Sequence, residues 1–157
     1  MAARVSGGGP EEMRRLAARL KTADQVLRRQ LRKALTEAAD PVTGAVREAI
    51  QGSPSKHDGT LRGEAARTVS SSVSLAGGRV TLAIVSRGSL MPGGKEDLPA
   101  YLNGRGWRHP VYGRRTVFQA SHAAGWFSQT ISDRAGDLRD AVESAMGETA
   151  RKLEGGP

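Results

Sequence analysis

No cysteine occurs anywhere in this 157-residue chain. That absence excludes disulfides, thiolate metal sites and cysteine nucleophiles. Aromatic residues are also scarce. All six lie between Tyr101 and Phe127, and the other 130 residues or so of the chain have none. Leu, Ile, Val and Phe together number only 29. A share under about a fifth, combined with high net charge, leans toward disorder for an isolated chain. No apolar run approaches the ~20 residues of a membrane span, and none near the start reads as a signal peptide. These absences predict a soluble protein made in a cytoplasm, with a thin core completed by packing against other subunits.

What is present is charge and periodicity. The net charge is +8. It is uneven: residues 1–51 carry net +4, residues 52–120 net +6 and residues 121–157 net −2. A basic middle and an acidic end suit either DNA attraction or head-to-tail pairing between subunits. Length and pattern predict a Gly-rich flexible tail over residues 1–9 and a single domain over residues 10–154.

Pro10, Glu11 and Glu12 are helix-start chemistry. From there Met13, Leu16, Leu20, Leu27, Leu31 and Leu35 recur at three-, four- or seven-residue spacing, one apolar stripe opposite an arginine-rich face. Asp40-Pro41 either kinks this helix or opens a second one capped by Asp40. Val42, Val46 and Ile50 resume the stripe. At 1.5 Å per residue, Pro10–Asp40 alone would span roughly 45 Å, about the size of the whole body, so part of the stripe should overhang and need a partner. Val69, Val73 and Leu75, then Val80, Leu82 and Ile84, alternate around Gly77-Gly78, which predicts a β-hairpin with one buried face. Leu98–Leu102 reads as a short helix or turn, 107–112 and 116–119 as further strands joining the hairpin's sheet, and Ile131–Leu153 as a C-terminal helix. The fold class predicted is α+β, with long N-terminal and C-terminal helices on a small mainly antiparallel sheet.

Catalytic chemistry finds little support. His57, His109 and His122 lack the spacing of a zinc site, and Asn103, His109 and His122 are too dispersed for a His/Asn/His metal nuclease. There is no G-x-S-x-G elbow. Ser70, Ser72 and Ser74 read as the exposed face of a strand. Asp133 and Asp137 read as a solvated helix face, with no general acid/base pair standing out. Gly7-Gly8-Gly9 has neither a preceding strand nor a following Gly-Lys-Ser/Thr. Basic residues interleaved with aromatics have a larger claim. Arg105, Arg108, Arg114 and Arg115 surround Trp107 and Tyr112, a composition used by single-strand binders, although no known DNA-reading motif is present.

Four stretches carry a resemblance. They are the basic helix ending Ala38-Ala39-Asp40-Pro41; Gly59-Thr60-Leu61-Arg62 before the Ser/Val hairpin; Leu98-Pro99-Ala100-Tyr101-Leu102 followed by Trp107-Arg108-His109-Pro110-Val111-Tyr112-Gly113; and Gly125-Trp126-Phe127 before the last helix. Across most of residues 10–153 the chain resembles the neck or tail-completion proteins of long-tailed bacteriophages, often termed minor tail or morphogenesis proteins. Where that family often has a proline just before the glycine of Gly-Trp-Phe, this chain has Ala124. The resemblance implies a structural virion protein, not an enzyme and without a cofactor, forming a homo-oligomeric ring at the head-tail junction or tail-tube end. Its partners would be tail-tube and connector proteins, with no membrane and with non-specific contact to passing DNA. Leu61, Arg62, Tyr101, Trp107, His109, Tyr112, Trp126 and Phe127 are the expected packing or interface residues, and Arg105, Arg108, Arg114 and Arg115 the expected DNA-facing ones. A basic nucleic-acid-binding protein is the alternative. It predicts tight, steeply salt-dependent binding by an isolated subunit.

Overall fold

The computed structural model describes residues 2–5, 18, 25–53, 60–76, 80–104, 107–111, 114–121 and 125–154. The fold is α+β, as the periodicity predicts. In chain order, its elements are β1 (Ala2–Val5), α1 (Gln25–Gln51), α2 (Thr60–Arg67), β2 (Val69–Ser74) and β3 (Thr81–Ser86). After a 3-10 turn at Gly88–Leu90 come α3 (Leu98–Asn103), β4 (Trp107–Val111), β5 (Arg114–Ser121), α4 (Ser128–Asp133) and α5 (Ala135–Glu154). Expectations for Pro10 to Asp24, for the loop around His57 and for the Gly77-Gly78 turn lie outside the described residues.

Helix α1 has 27 residues, roughly 40 Å at 1.5 Å each. Its buried face is Leu31, Leu35, Ala39, Val42, Val46 and Ile50. The spacing of four, four, three, four and four is that of a single helical stripe. Pro41 lies inside this helix, so the second-helix alternative is set aside. The helix ends where Gly52 donates its N–H to the Glu48 carbonyl at 2.8 Å and the Ser53 hydroxyl donates to the Ala49 carbonyl at 3.0 Å. From Leu31 to Ile50 the stripe is covered by the chain itself, chiefly by α5, β2 and α2. The stripe before Gln25, apart from Ala18, where an overhang is expected, lies outside the described residues.

Strands β2 and β3 form the expected hairpin, with Val69 opposite Ser86, Ser71 opposite Ile84 and Val73 opposite Leu82. One face of it joins the core: Val69, Leu82 and Ile84 are essentially inaccessible. The polar pair that closes this hairpin is buried too. The hydroxyls of Thr68 and Ser86 lie 2.8 Å apart, and the Thr68 hydroxyl is 2.7 Å from the Ala65 carbonyl. Arg47 of α1 ties the helix to the sheet by donating from Nη2 to the Val69 carbonyl at 2.8 Å.

Two expectations about the sheet are corrected. Residues 2–5 are not a free tail, because β1 pairs antiparallel with β3, Arg4 opposite Ala83, giving the order β1-β3-β2. A strand of four residues carries too little alternation to be read from sequence, but it satisfies backbone groups that would otherwise line an open edge of β3. Nor does the 98–119 region join this sheet. Residues 98–103 are helical, and β4 and β5 pair antiparallel with each other as a separate two-stranded sheet.

Among the described residues, nineteen apolar side chains form one core drawn from α1, α2, β2, Val80, β3, α5, Met91 and the Trp126-Phe127 pair. Large apolar groups left outside it include Val26, Leu61, Leu90 and Tyr101. No described helix is long and apolar enough to cross a membrane.

Candidate functional site

The aromatic segment begins in α3 and ends in the core. Trp126 and Phe127 are 2% and 4% exposed and meet edge-to-face, their ring centroids 5.6 Å apart. Both are core residues, so for these two the choice between core and interface falls to core. Gly125, just before them, has φ +56°, a left-handed conformation that glycine adopts without cost. It lets the chain turn sharply into the buried pair, and its carbonyl accepts the Gln129 N–H at 2.8 Å.

Asn103, the last residue of α3, joins the two ends of this segment. Its Oδ1 accepts the backbone N–H of Phe127 at 2.8 Å and that of Ser128 at 3.1 Å. The Ser128 hydroxyl lies 3.4 Å away. Phe127 occupies the N-cap position of α4 without a capping side chain of its own, so Asn103 satisfies the first donors of that helix from 24 residues upstream. N-capping acceptors are worth about 0.5–2 kcal/mol. Asn103→Ala is expected to cost about 1–2 kcal/mol, seen as a drop of roughly 2–8 °C in melting temperature. Asn103→Asp, which keeps the acceptor, is expected to recover most of it. An unchanged melting curve for the alanine variant would show that the clamp contributes nothing.

Between those pinned ends the chain leaves and returns as the β4–β5 hairpin. Trp107 stands opposite Ser121, Arg108 opposite Ala120, His109 opposite Gln119 and Pro110 opposite Phe118. The register then shifts, placing Val111 opposite Arg114. Tyr112 and Gly113, as well as Arg105 and His122, lie outside the described residues. The charge of this segment is one-sided. From Leu98 to Ser132 the chain has no acidic residue, while it holds Arg105, Arg108, Arg114 and Arg115.

The remaining candidates divide. Arg62 donates from Nη1 to the Gln51 carbonyl at 3.0 Å, a packing role that fixes α2 on the C-terminal end of α1. Its neighbour Leu61 is exposed. Tyr101 is 53% exposed on α3, which packs beside the 3-10 turn carrying exposed Leu90. The loop joining that turn to α3 folds back closely. A Cβ at Gly88 would lie 2.0 Å from the Glu96 carbonyl oxygen, so only glycine fits there. Trp107, His109, Arg108, Arg114 and Arg115 are brought onto one hairpin by β4 and β5, apart from the core sheet. Among the described residues no group of three or more His, Asp or Glu is placed to hold a metal.

No protein-family model, no curated protein and no solved structure matches this chain.

Proposed function

We propose that this chain is a structural virion protein of the neck or tail of a long-tailed bacteriophage. Its subunits assemble into a ring at the head-tail junction or tail-tube end. The role is assembly, and the resemblance implies no chemistry. The observation that carries the reading is the division of labour within the chain. The described helices and the three-stranded sheet share one core, while the segment richest in contact-forming residues forms a two-stranded sheet of its own, between Asn103 and the Phe127 that it clamps.

Aromatic and arginine residues are the side chains most enriched where proteins meet. Tyr101 and Leu90 lie exposed on neighbouring elements, α3 and the 3-10 turn. Exposed apolar groups gathered in one place mark a contact surface. A closed ring uses a heterologous interface, one patch meeting a different patch on the next subunit.

Light scattering at low and high salt, with electron microscopy of any large species, tests this. A discrete oligomer, or a ring formed on mixing with tail-tube protein, is the expected result. A monomer at both salts that stays monomeric with tail components would overturn it. Trp107→Ala is expected to weaken the oligomer or prevent folding. Normal assembly and infectious particles from that variant would remove Trp107 from the contact set.

A further inference from the structure

We infer that Asn103-Gly104 is a self-modifying site: the Asn103 side chain closes on the Gly104 nitrogen to a succinimide, and hydrolysis leaves isoaspartate in the main chain. Three observations converge on this. The first is sequence. Asn103 is the only asparagine in the chain, and a glycine follows it. Glycine has no Cβ to hinder the approach of its backbone to a neighbouring group.

The second is the state of the electrophile. Asn103 Oδ1 accepts the N–H of Phe127 at 2.8 Å and that of Ser128 at 3.1 Å, with the Ser128 hydroxyl at 3.4 Å. Backbone donors at such distances stabilise the negative charge that an acyl oxygen gains when its carbon is attacked. They also hold the amide in one place, which removes part of the entropy cost of closing the ring.

The third is the state of the nucleophile. The Gly104 N–H is shared between the Ala100 carbonyl at 2.9 Å and the Tyr101 carbonyl at 3.3 Å. While those bonds hold, the nitrogen is engaged and the site is latent. They close the last turn of a six-residue helix next to an exposed Gly104, and helix ends fray. Rotation about the Asn103 Cα–C bond releases the nitrogen and leaves the clamped side chain where it is. The gate is therefore the end of α3, not unfolding of the core.

The chemistry needs only water. The Gly104 nitrogen bonds to Asn103 Cγ, the Cγ–Nδ2 bond breaks, and ammonia leaves with the proton that Gly104 gives up. Water then opens the succinimide. Attack at Cγ breaks the new bond and gives aspartate, which keeps an acceptor for α4. Attack at the main-chain carbonyl carbon breaks its bond to the Gly104 nitrogen and gives isoaspartate. The chain then runs through Cβ and Cγ. The group that accepted the Phe127 and Ser128 donors now carries the main chain, and the clamp is lost. Either product places a carboxylate in the stretch from Leu98 to Ser132, which has no acid of its own. None of this depends on the ring.

The test is mass spectrometry of the folded chain held over weeks at neutral and at mildly alkaline pH, followed by chromatography of the tryptic peptide Glu96–Arg105. The mass gain of exchanging an amide for an acid is expected in that peptide. It should come faster at the higher pH, because the nitrogen attacks after losing its proton. Two product peaks, aspartate and isoaspartate, are expected. Urea below the unfolding transition should change the rate by no more than about twofold, because opening one turn exposes little surface. Gly104→Ala should slow the reaction by about tenfold or more. That variant should fold normally, since Gly104 has φ −75° and a Cβ there would lie 3.4 Å from the Ala100 carbonyl oxygen, an ordinary contact. The purified isoaspartate form should melt roughly 2–8 °C below the native chain, and the aspartate form close to it.

No mass gain in the folded chain, while the urea-unfolded chain converts, overturns the inference. So does a rate that climbs steeply with urea, which places the reaction in the unfolded chain. Aspartate as the sole product, or an unchanged rate in Gly104→Ala, means direct hydrolysis by water and overturns the succinimide route. An isoaspartate form that melts like the native chain overturns the loss of the clamp.

Discussion

Trp126→Ala is expected to destabilise the protein by about 3–5 kcal/mol, a drop of roughly 10–15 °C in melting temperature for a chain of this size. Domains of this length are stable by only about 5–15 kcal/mol, so the variant is expected to be partly unfolded or recovered in inclusion bodies. The reasoning starts from position. Trp126 is among the largest fully buried side chains, and its ring packs on Phe127 at 83°. Removing it leaves a void beside α4, whose start is held by Asn103.

Trp126→Phe separates two contributions. The indole Nε1 is buried with no hydrogen-bond partner among the described residues, and an unsatisfied buried donor costs about 1–3 kcal/mol. Phenylalanine keeps most of the apolar body and discards that donor. It is expected to cost about 1 kcal/mol or less, because the lost contact area is offset by the removed polar group. Chemical denaturation of both variants measures this. A phenylalanine variant as damaged as the alanine variant would mean that the indole N–H is satisfied in solution, by water or by a neighbour.

The helices and the β2–β3 hairpin were legible because their periodicities are long. Six positions from Leu31 to Ile50 hold one helical phase. Val69, Val73, Val80, Leu82 and Ile84 hold one strand phase, and all five are buried or half-buried. Strand β1 was not legible. Its four residues gain their strand character from the edge of β3, a long-range partner that local pattern does not encode. The separation of β4–β5 from the core sheet was hidden for a related reason. Alternation identifies a strand but not its neighbour, and Trp107, Val111 and Phe118 look as apolar as any core strand.

The candidate site was half legible. The clustering of aromatics and arginines could be counted. The Asn103 clamp could not, since an asparagine at the end of a short helix is ordinarily a local cap rather than an acceptor for donors 24 and 25 residues away. The crowding at Gly88 was equally invisible, because it is set by the approach of the Glu96 backbone.

Pro41→Ala is expected to stabilise the protein by about 2 kcal/mol, raising the melting temperature by roughly 4–8 °C. Proline in a helix interior costs about 3 kcal/mol relative to alanine. It lacks the N–H that the Glu37 carbonyl would otherwise accept, and its ring crowds that carbonyl. Part of the gain is returned, because alanine gives the unfolded chain back about 0.4–1 kcal/mol of freedom. The position favours the substitution: Pro41 is exposed, on the side of α1 away from the core, so no packing is lost. The helix runs through Pro41 because the buried residues on either side, Leu31 to Ala39 and Val42 to Ile50, each hold several kilocalories of apolar burial. That total exceeds the local penalty, which is why the alternative of a break at Asp40 does not prevail. A measured fall in melting temperature for Pro41→Ala would mean that the two halves of α1 need the bend proline imposes to reach α5 and β2 together.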